Sequence, residues 1–128
     1  MMFDEILHLL NTSAVLRDLQ VVELIVYGQS AFRTKLRAEV TDKLMFQVWL
    51  NHNSRHTRYA YQLFRSGEPI LRWDNAPHHP EQALNFPHHF HDESGQLKPS
   101  TLSGTPVADL STVLLEIQEY LQSLNQTR

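Results

Sequence analysis

Histidine is concentrated in one part of this sequence. Five of its eight histidines fall between residues 78 and 91, namely His78, His79, His88, His89 and His91. Because an imidazole changes its charge near neutral pH and also binds metal ions, such a group suits either proton transfer or metal coordination. The chain has no cysteine, which excludes disulfides, thiol catalysis and cysteine-ligated zinc.

One interpretation of this group is metal-free cleavage of a phosphodiester, as in RNA. That reaction needs a base for the 2′-hydroxyl, an acid for the leaving oxygen and a cation beside the phosphorane. Arg72 lies at the end of a predicted strand, just before His78 and His79. The candidate catalytic residues are Arg72, Asp74, His78, His79, His88 and His89. The structural alternative is that Arg72 pairs with Asp74 and that the histidines bond to loop carbonyls.

A second interpretation of the histidines is a metal site. His89 and His91 are two residues apart, so on a strand both imidazoles would point to one side. Asp74, Asp92 or Glu93 could add an oxygen ligand. However, adjacent histidines point apart in an extended chain, and the spacing matches no known zinc motif. We therefore predict no cofactor, and no metal ion that the fold requires.

Basic residues are also unevenly placed. Residues 30–72 carry eight Lys or Arg against three Asp or Glu, although the whole chain has a net charge of −3. This asymmetry is typical either of a surface that meets an anionic partner or of a solvated sheet face. Three of the bases alternate along one predicted strand, as residues on one face of a strand do. The candidate nucleic-acid-binding residues are Arg33, Lys35, Arg37 and Arg58.

The hydrophobic pattern predicts an α+β fold in one domain, residues 1–128. Apolar residues at helical spacing predict helices over residues 2–11 and 107–124. Alternating residues bounded by turn signals predict strands over residues 15–27, 31–40, 44–50, 55–65 and 70–73. We expect a five-stranded antiparallel meander sheet with an N-terminal and a C-terminal helix packed on it. The C-terminal helix could instead form a coiled coil, which leaves a homodimer open.

The pattern breaks after Trp73. Residues 74–106 contain five of the six prolines and no amphipathic period, which predicts a long irregular segment. We expect this segment to fold back onto the sheet, held by Trp73, Phe86 and Phe90. The sequence has no long apolar run and begins with acidic rather than basic residues. It therefore predicts neither a membrane span nor a signal peptide, and the expected location is the cytoplasm.

Two segments of this region resemble a known family. The run RWDNAPHHP from Arg72 to Pro80, and the later FPHH followed by His91, resemble the block that marks TumE family proteins. The resemblance extends on both sides of this block, to Tyr59-x-Tyr61-Gln62 before it and to the predicted C-terminal helix after it. It therefore covers residues 30–122. The family block commonly reads His-His-Lys-His. Here Phe90 replaces the lysine, which removes one cation from the expected site.

The resemblance implies the toxin half of a bacterial or archaeal toxin–antitoxin pair, with a cognate antitoxin as partner. Together with the basic residues and the histidines, it favours a ribonuclease-like toxin that acts on RNA. Two alternatives stay open. The chain could be a binding module whose histidine-rich segment is structural, or a protein that binds a metal through its histidines.

Overall fold

The computed structural model describes residues 1–77 and 85–126. Within those residues the chain forms two helices and seven strands. The helices are α1 (Met2–Asn11) and α2 (Pro106–Gln126). The strands are β1 (Arg17–Gly28), β2 (Ala31–Glu39), β3 (Leu44–His52), β4 (Thr57–Arg65), β5 (Glu68–Asp74), β6 (His89–His91) and β7 (Leu97–Pro99).

All seven strands form one antiparallel sheet whose spatial order follows the chain from β1 to β7. The α+β class, both helices and the antiparallel sheet agree with the predictions. The predicted number of five strands is wrong, because β6 and β7 lie in the segment that was expected to be irregular. Each is only three residues long, too short for an alternating pattern to reveal it.

The core lies between one face of the sheet and the two helices. Along β2 and β3 every second residue is buried, as the alternation in the sequence predicts. These side chains meet Phe3, Ile6 and Leu10 of α1 and the apolar side of α2. Both helices pack on this side, which we call the helix face, and among the described residues no helix covers the opposite face of the central strands.

Trp73 of β5 contacts α2 on the helix face. Its side chain is buried, its ring centroid lies 5.1 Å from that of Phe90, and its Nε1 donates a hydrogen bond of 2.7 Å to Glu116. The expectation that Trp73 and Phe90 anchor the segment after β5 is therefore confirmed. Phe86 does not share this role, because 43% of its surface is exposed. The predicted fold-back of residues 78–84 lies outside the described residues.

Candidate functional site

The face of the sheet opposite the helices, which we call the outer face, collects the polar residues of five neighbouring strands. Opposite residues in an antiparallel ladder point to the same side, so the strand registers define this set. It contains Arg33, Lys35, Arg37, Gln47, Trp49, Arg58, Gln62, Arg72, Asp74, His89 and His91. The outer face therefore carries every described candidate site residue except His88.

Asp74 is the centre of a group of four side chains, the Asp74 cluster, formed with Arg72, His89 and His91. The register pairs Arg72 with His91 and Asp74 with His89. The Arg72 Nε donates to Asp74 Oδ2 at 2.6 Å, while His89 Nε2 lies 2.7 Å from Asp74 Oδ1. His91 Nε2 lies 3.6 Å from Asp74 Oδ2. The spacing of His89 and His91 predicts that both rings lie on one side of a strand. In the structure both rings do so, and both lie near the Asp74 carboxylate.

The buried members of the cluster are held by backbone contacts. His89 Nδ1 lies 2.9 Å from the carbonyl oxygen of Pro87, and because a carbonyl only accepts, this nitrogen must donate. The Asp74 Oδ1 also accepts a bond of 3.0 Å from the backbone N–H of Ala76. The side chains of Asp74 and His89 are each only 4% exposed. Their orientation is therefore set by the fold.

The other two members of the cluster remain reachable from solvent. The side chain of Arg72 is 41% exposed and that of His91 is 31% exposed. Arg72 also borders a shallow cavity of about 350 Å³ on the outer face, which Lys35, Trp49 and Arg58 help to line. The cluster thus offers one guanidinium and one imidazole to a bound molecule, and the buried Asp74 holds both near each other.

His88 lies on the opposite side of the sheet from the Asp74 cluster. Its Nδ1 is 2.9 Å from the hydroxyl of Tyr59, and the two rings stack with centroids 5.9 Å apart. Burial lowers the pKa of His88 below its ordinary value. Gly104 approaches this ring so closely that an added Cβ would lie 3.3 Å from His88 Cε1. His88 and His89 point apart, as neighbours on an extended chain do, and His78 and His79 lie outside the described residues.

The four basic candidates differ in their local partners. The Arg33 guanidinium forms an ion pair of 3.2 Å with Glu23, and Arg37 donates to the Gln47 amide oxygen at 2.9 Å. Lys35 and Arg58 both line the cavity beside Arg72. Lys35 and Arg58 are therefore the two basic candidates that share a cavity with Arg72 and Asp74 of the cluster.

A metal ion could be held by three members of the cluster. One ligand atom from each of Asp74, His89 and His91 lies within 4.8 Å of the others. The two other acids considered from the sequence have different roles. Asp92 accepts from Ser94 and Lys98, and these hydrogen bonds lower its pKa, while Glu93 pairs with Arg65.

We expect that folding does not need a metal ion, because the hydrophobic core between sheet and helices is continuous and Asp74 already has Arg72 and His89 beside it. Thermal melts of the protein with and without a strong chelator should give the same melting temperature. A chelator-induced drop, reversed by adding back a divalent metal, would contradict this expectation. His91→Ala is the matched variant, since it would reduce such a drop if the ion bound here.

A family comparison covers the whole of this arrangement. The sequence model of the family described as Toxin TumE matches residues 6–121 of the 128 residues. The chain belongs to the TumE toxin family. In this TumE protein the match runs from α1 into α2 and includes the outer face and the Asp74 cluster. A search of curated proteins and a search of solved structures gave no match.

Two residues of the outer face, His91 and Trp49, gain a possible functional role only from the structure. The sequence predicts His91 as a possible metal ligand and as part of the family block, but its closeness to Asp74 depends on how β6 pairs with β5. Trp49 lies within the predicted strand 44–50, whose alternating pattern does not distinguish it from its neighbours. Among the described residues, neither helix has the length and hydropathy needed to cross a membrane.

Proposed function

We propose that this protein is a cytoplasmic toxin that cleaves RNA on the outer face of its sheet, without a metal ion. The observation that carries the proposal is that the Asp74 cluster and four basic residues share the outer face of the sheet. A buried carboxylate that orients a partly exposed arginine and imidazole is an arrangement suited to phosphoryl chemistry. The TumE family match supports the toxin role.

Each member of the cluster has a distinct part in this proposal. Arg72, held by Asp74 at 2.6 Å, would stabilise the additional negative charge of the phosphorane. His91, the partly exposed imidazole, would exchange a proton with the 2′-hydroxyl or the leaving 5′-oxygen. His89 is a positioning residue, since its buried ring contacts Asp74 rather than solvent. The second proton-transfer role is assigned to the sequence candidates His78 and His79.

The rest of the outer face would hold the RNA strand. Lys35, Arg58 and the neighbouring arginines supply the charges that phosphates need, and Trp49 opposes Lys35 on the next strand. Stacking of a base on an aromatic ring is tolerant of sequence and is common where single strands bind to a sheet. The proposed substrate is therefore single-stranded RNA.

The direct test is to incubate purified protein with single-stranded RNA in the presence of a chelator. Attack of the 2′-oxygen on phosphorus forms a 2′,3′-cyclic phosphate and breaks the bond to the 5′-oxygen, which takes up a proton. We expect these two product ends, and no cleavage of an oligonucleotide with 2′-deoxyribose at every position. Cleavage that appears only after a divalent metal is added would contradict the metal-free reaction.

RNA binding should weaken steeply with salt, because the proposed contacts are mainly to phosphates. For single-stranded nucleic acid each such contact contributes a slope of about −0.7 in a plot of log affinity against log salt. Lys35→Ala should therefore make the slope shallower by about 0.7, as measured by fluorescence anisotropy. Lys43→Ala, in the turn between β2 and β3, is the matched control and should leave it unchanged. Affinity that does not vary with salt would refute this role for the outer face.

A non-catalytic binding module is the second candidate function. It is favoured by the burial of Asp74, whose contacts with Arg72 and His89 would also be expected of a purely structural ion pair. In that case the outer face would dock an acidic partner, such as part of an antitoxin. A toxic parent protein that cleaves no RNA under any tested condition would favour this candidate over the first.

A further inference from the structure

The first strand of the sheet is unusual because large apolar side chains on it are exposed. Six of them lie between residues 21 and 27, with exposed fractions from 37% to 57%: Val21, Val22, Leu24, Ile25, Val26 and Tyr27. Only Glu23 interrupts the run. They flank the strand on both faces of the sheet, because the register with β2 puts Leu24 and Val26 on the helix face and Ile25 on the outer face. A group of exposed large apolar residues on a soluble protein generally marks an interaction surface.

This strand also has an open backbone edge. Within residues 1–77 and 85–126, β1 pairs with β2 alone and ends the sheet. It is twelve residues long, or about 40 Å at 3.3–3.4 Å per residue. Natural edge strands usually avoid pairing through short length, charge or proline. β1 has irregular register near Asp18, Val22 and Tyr27, but the pairing of residues 23–26 with β2 is regular.

Two of the three charged residues of β1 have an ion-pair partner in the same chain. Arg17 forms ion pairs with Glu39 and Asp42, and Glu23 pairs with Arg33 at 3.2 Å. The remaining charge of the strand, Asp18, lies near its start. A partner at this edge therefore needs an apolar strand of similar length rather than a charged surface.

A second copy of β1, running in the opposite direction, meets this requirement. Read from either end, residues 19–27 (LQVVELIVY) place apolar residues at the same positions, apart from the pair formed by Gln20 and Val26. This register sets the central Glu23 opposite Glu23 of the second copy, and each of these carboxylates keeps its own Arg33 at 3.2 Å. Antiparallel pairing about a two-fold axis aligns a strand with its own reverse, and this is the commonest symmetry of homodimers. We propose that two copies of this chain dimerise by antiparallel pairing of β1.

The dimer would have one continuous sheet of fourteen strands. An axis perpendicular to the sheet keeps the helices of both copies on one face and both outer faces on the other. The two β2 strands, each with Arg33, Lys35 and Arg37, would then lie three strand spacings apart, about 14 Å. The two basic rows would form one surface. The use of this surface for RNA rests on the proposed function.

The proposed dimer is tested by measuring the mass of the purified full chain in solution. Light scattering after gel filtration should give twice the 14.9 kDa of one chain. The double variant Val22→Lys/Val26→Lys should give the mass of one chain, because it places four like charges at the interface. Leu115→Lys changes an exposed leucine on α2 and should remain a dimer. A monomeric parent at high protein concentration, or a dimeric double variant, would overturn the proposal.

Hydrogen exchange on the unmodified protein provides a second readout if the double variant folds poorly. Amides of β1 that do not bond to β2 should be protected at high protein concentration and should exchange faster on dilution. Equal exchange at both concentrations, together with a single-chain mass, would refute the dimer. Neither measurement depends on toxicity or RNA cleavage, so failure of the proposed function would be recognised separately.

Discussion

Arg72→Ala and His91→Ala are each expected to abolish growth inhibition when the protein is induced in a bacterial host. The first removes the cation that Asp74 holds at 2.6 Å, and the second removes the partly exposed imidazole of the same cluster. A positioned acid–base group typically contributes about 10²–10⁴-fold to a rate. The same loss is expected for His78→Ala. The purified variants should show a matching loss of RNA cleavage.

The control for this experiment must separate chemistry from folding. Arg72 is one of the contacts of the buried Asp74, so its removal could destabilise the end of β5. Circular dichroism and a thermal melt of each variant show whether the fold persists. Arg55→Ala removes an exposed arginine from the turn between β3 and β4 and should remain toxic. Variants that are folded and as toxic as the parent would show that Arg72 and His91 are structural.

Trp73→Ala is expected to lower the free energy of unfolding by about 3–5 kcal/mol, the usual cost of removing a buried tryptophan. Trp73 is 1% exposed, contacts Phe90 and donates a hydrogen bond to Glu116. The change would leave a cavity between β5 and α2 and also remove the donor to that carboxylate. Urea denaturation followed by circular dichroism measures the loss.

Trp49→Ala is the matched comparison for Trp73, since the same side chain is removed from the opposite face. Trp49 is only half-buried and lies on the outer face, where no helix covers it. Its loss should cost much less stability and should instead weaken RNA binding. Similar losses of stability for both variants would contradict the assignment of the two faces.

Much of the sheet could be predicted because β2 and β3 alternate between apolar and polar residues along their whole length. The same pattern cannot reveal β6, because three residues are too few to establish a period. The site depends on this short strand, because pairing with β5 decides which histidine meets Asp74. Register of that kind is set by tertiary contacts such as the one between Trp73 and Phe90, and no local pattern encodes it.

For β1 the sequence predicts the conformation of the backbone but not the exposure of the side chains. Its residues were correctly predicted to form a strand, because Val, Leu and Ile favour extended structure. Such a run normally indicates a buried strand, yet β1 lies at the edge with its side chains exposed. Composition gives the conformation of the backbone here, whereas exposure follows from the position of β1 at the end of the sheet.

The placement of the two tryptophans has a practical consequence for spectroscopy. They are the only tryptophans in the chain, and they lie on opposite sides of the sheet. The emission of Trp73 should shift to longer wavelength when the core opens, whereas Trp49 should be quenched by a base that stacks on the outer face. A Trp49→Phe variant would leave an optical signal for unfolding alone, and Trp73→Phe would leave one for ligand occupancy, without any added dye.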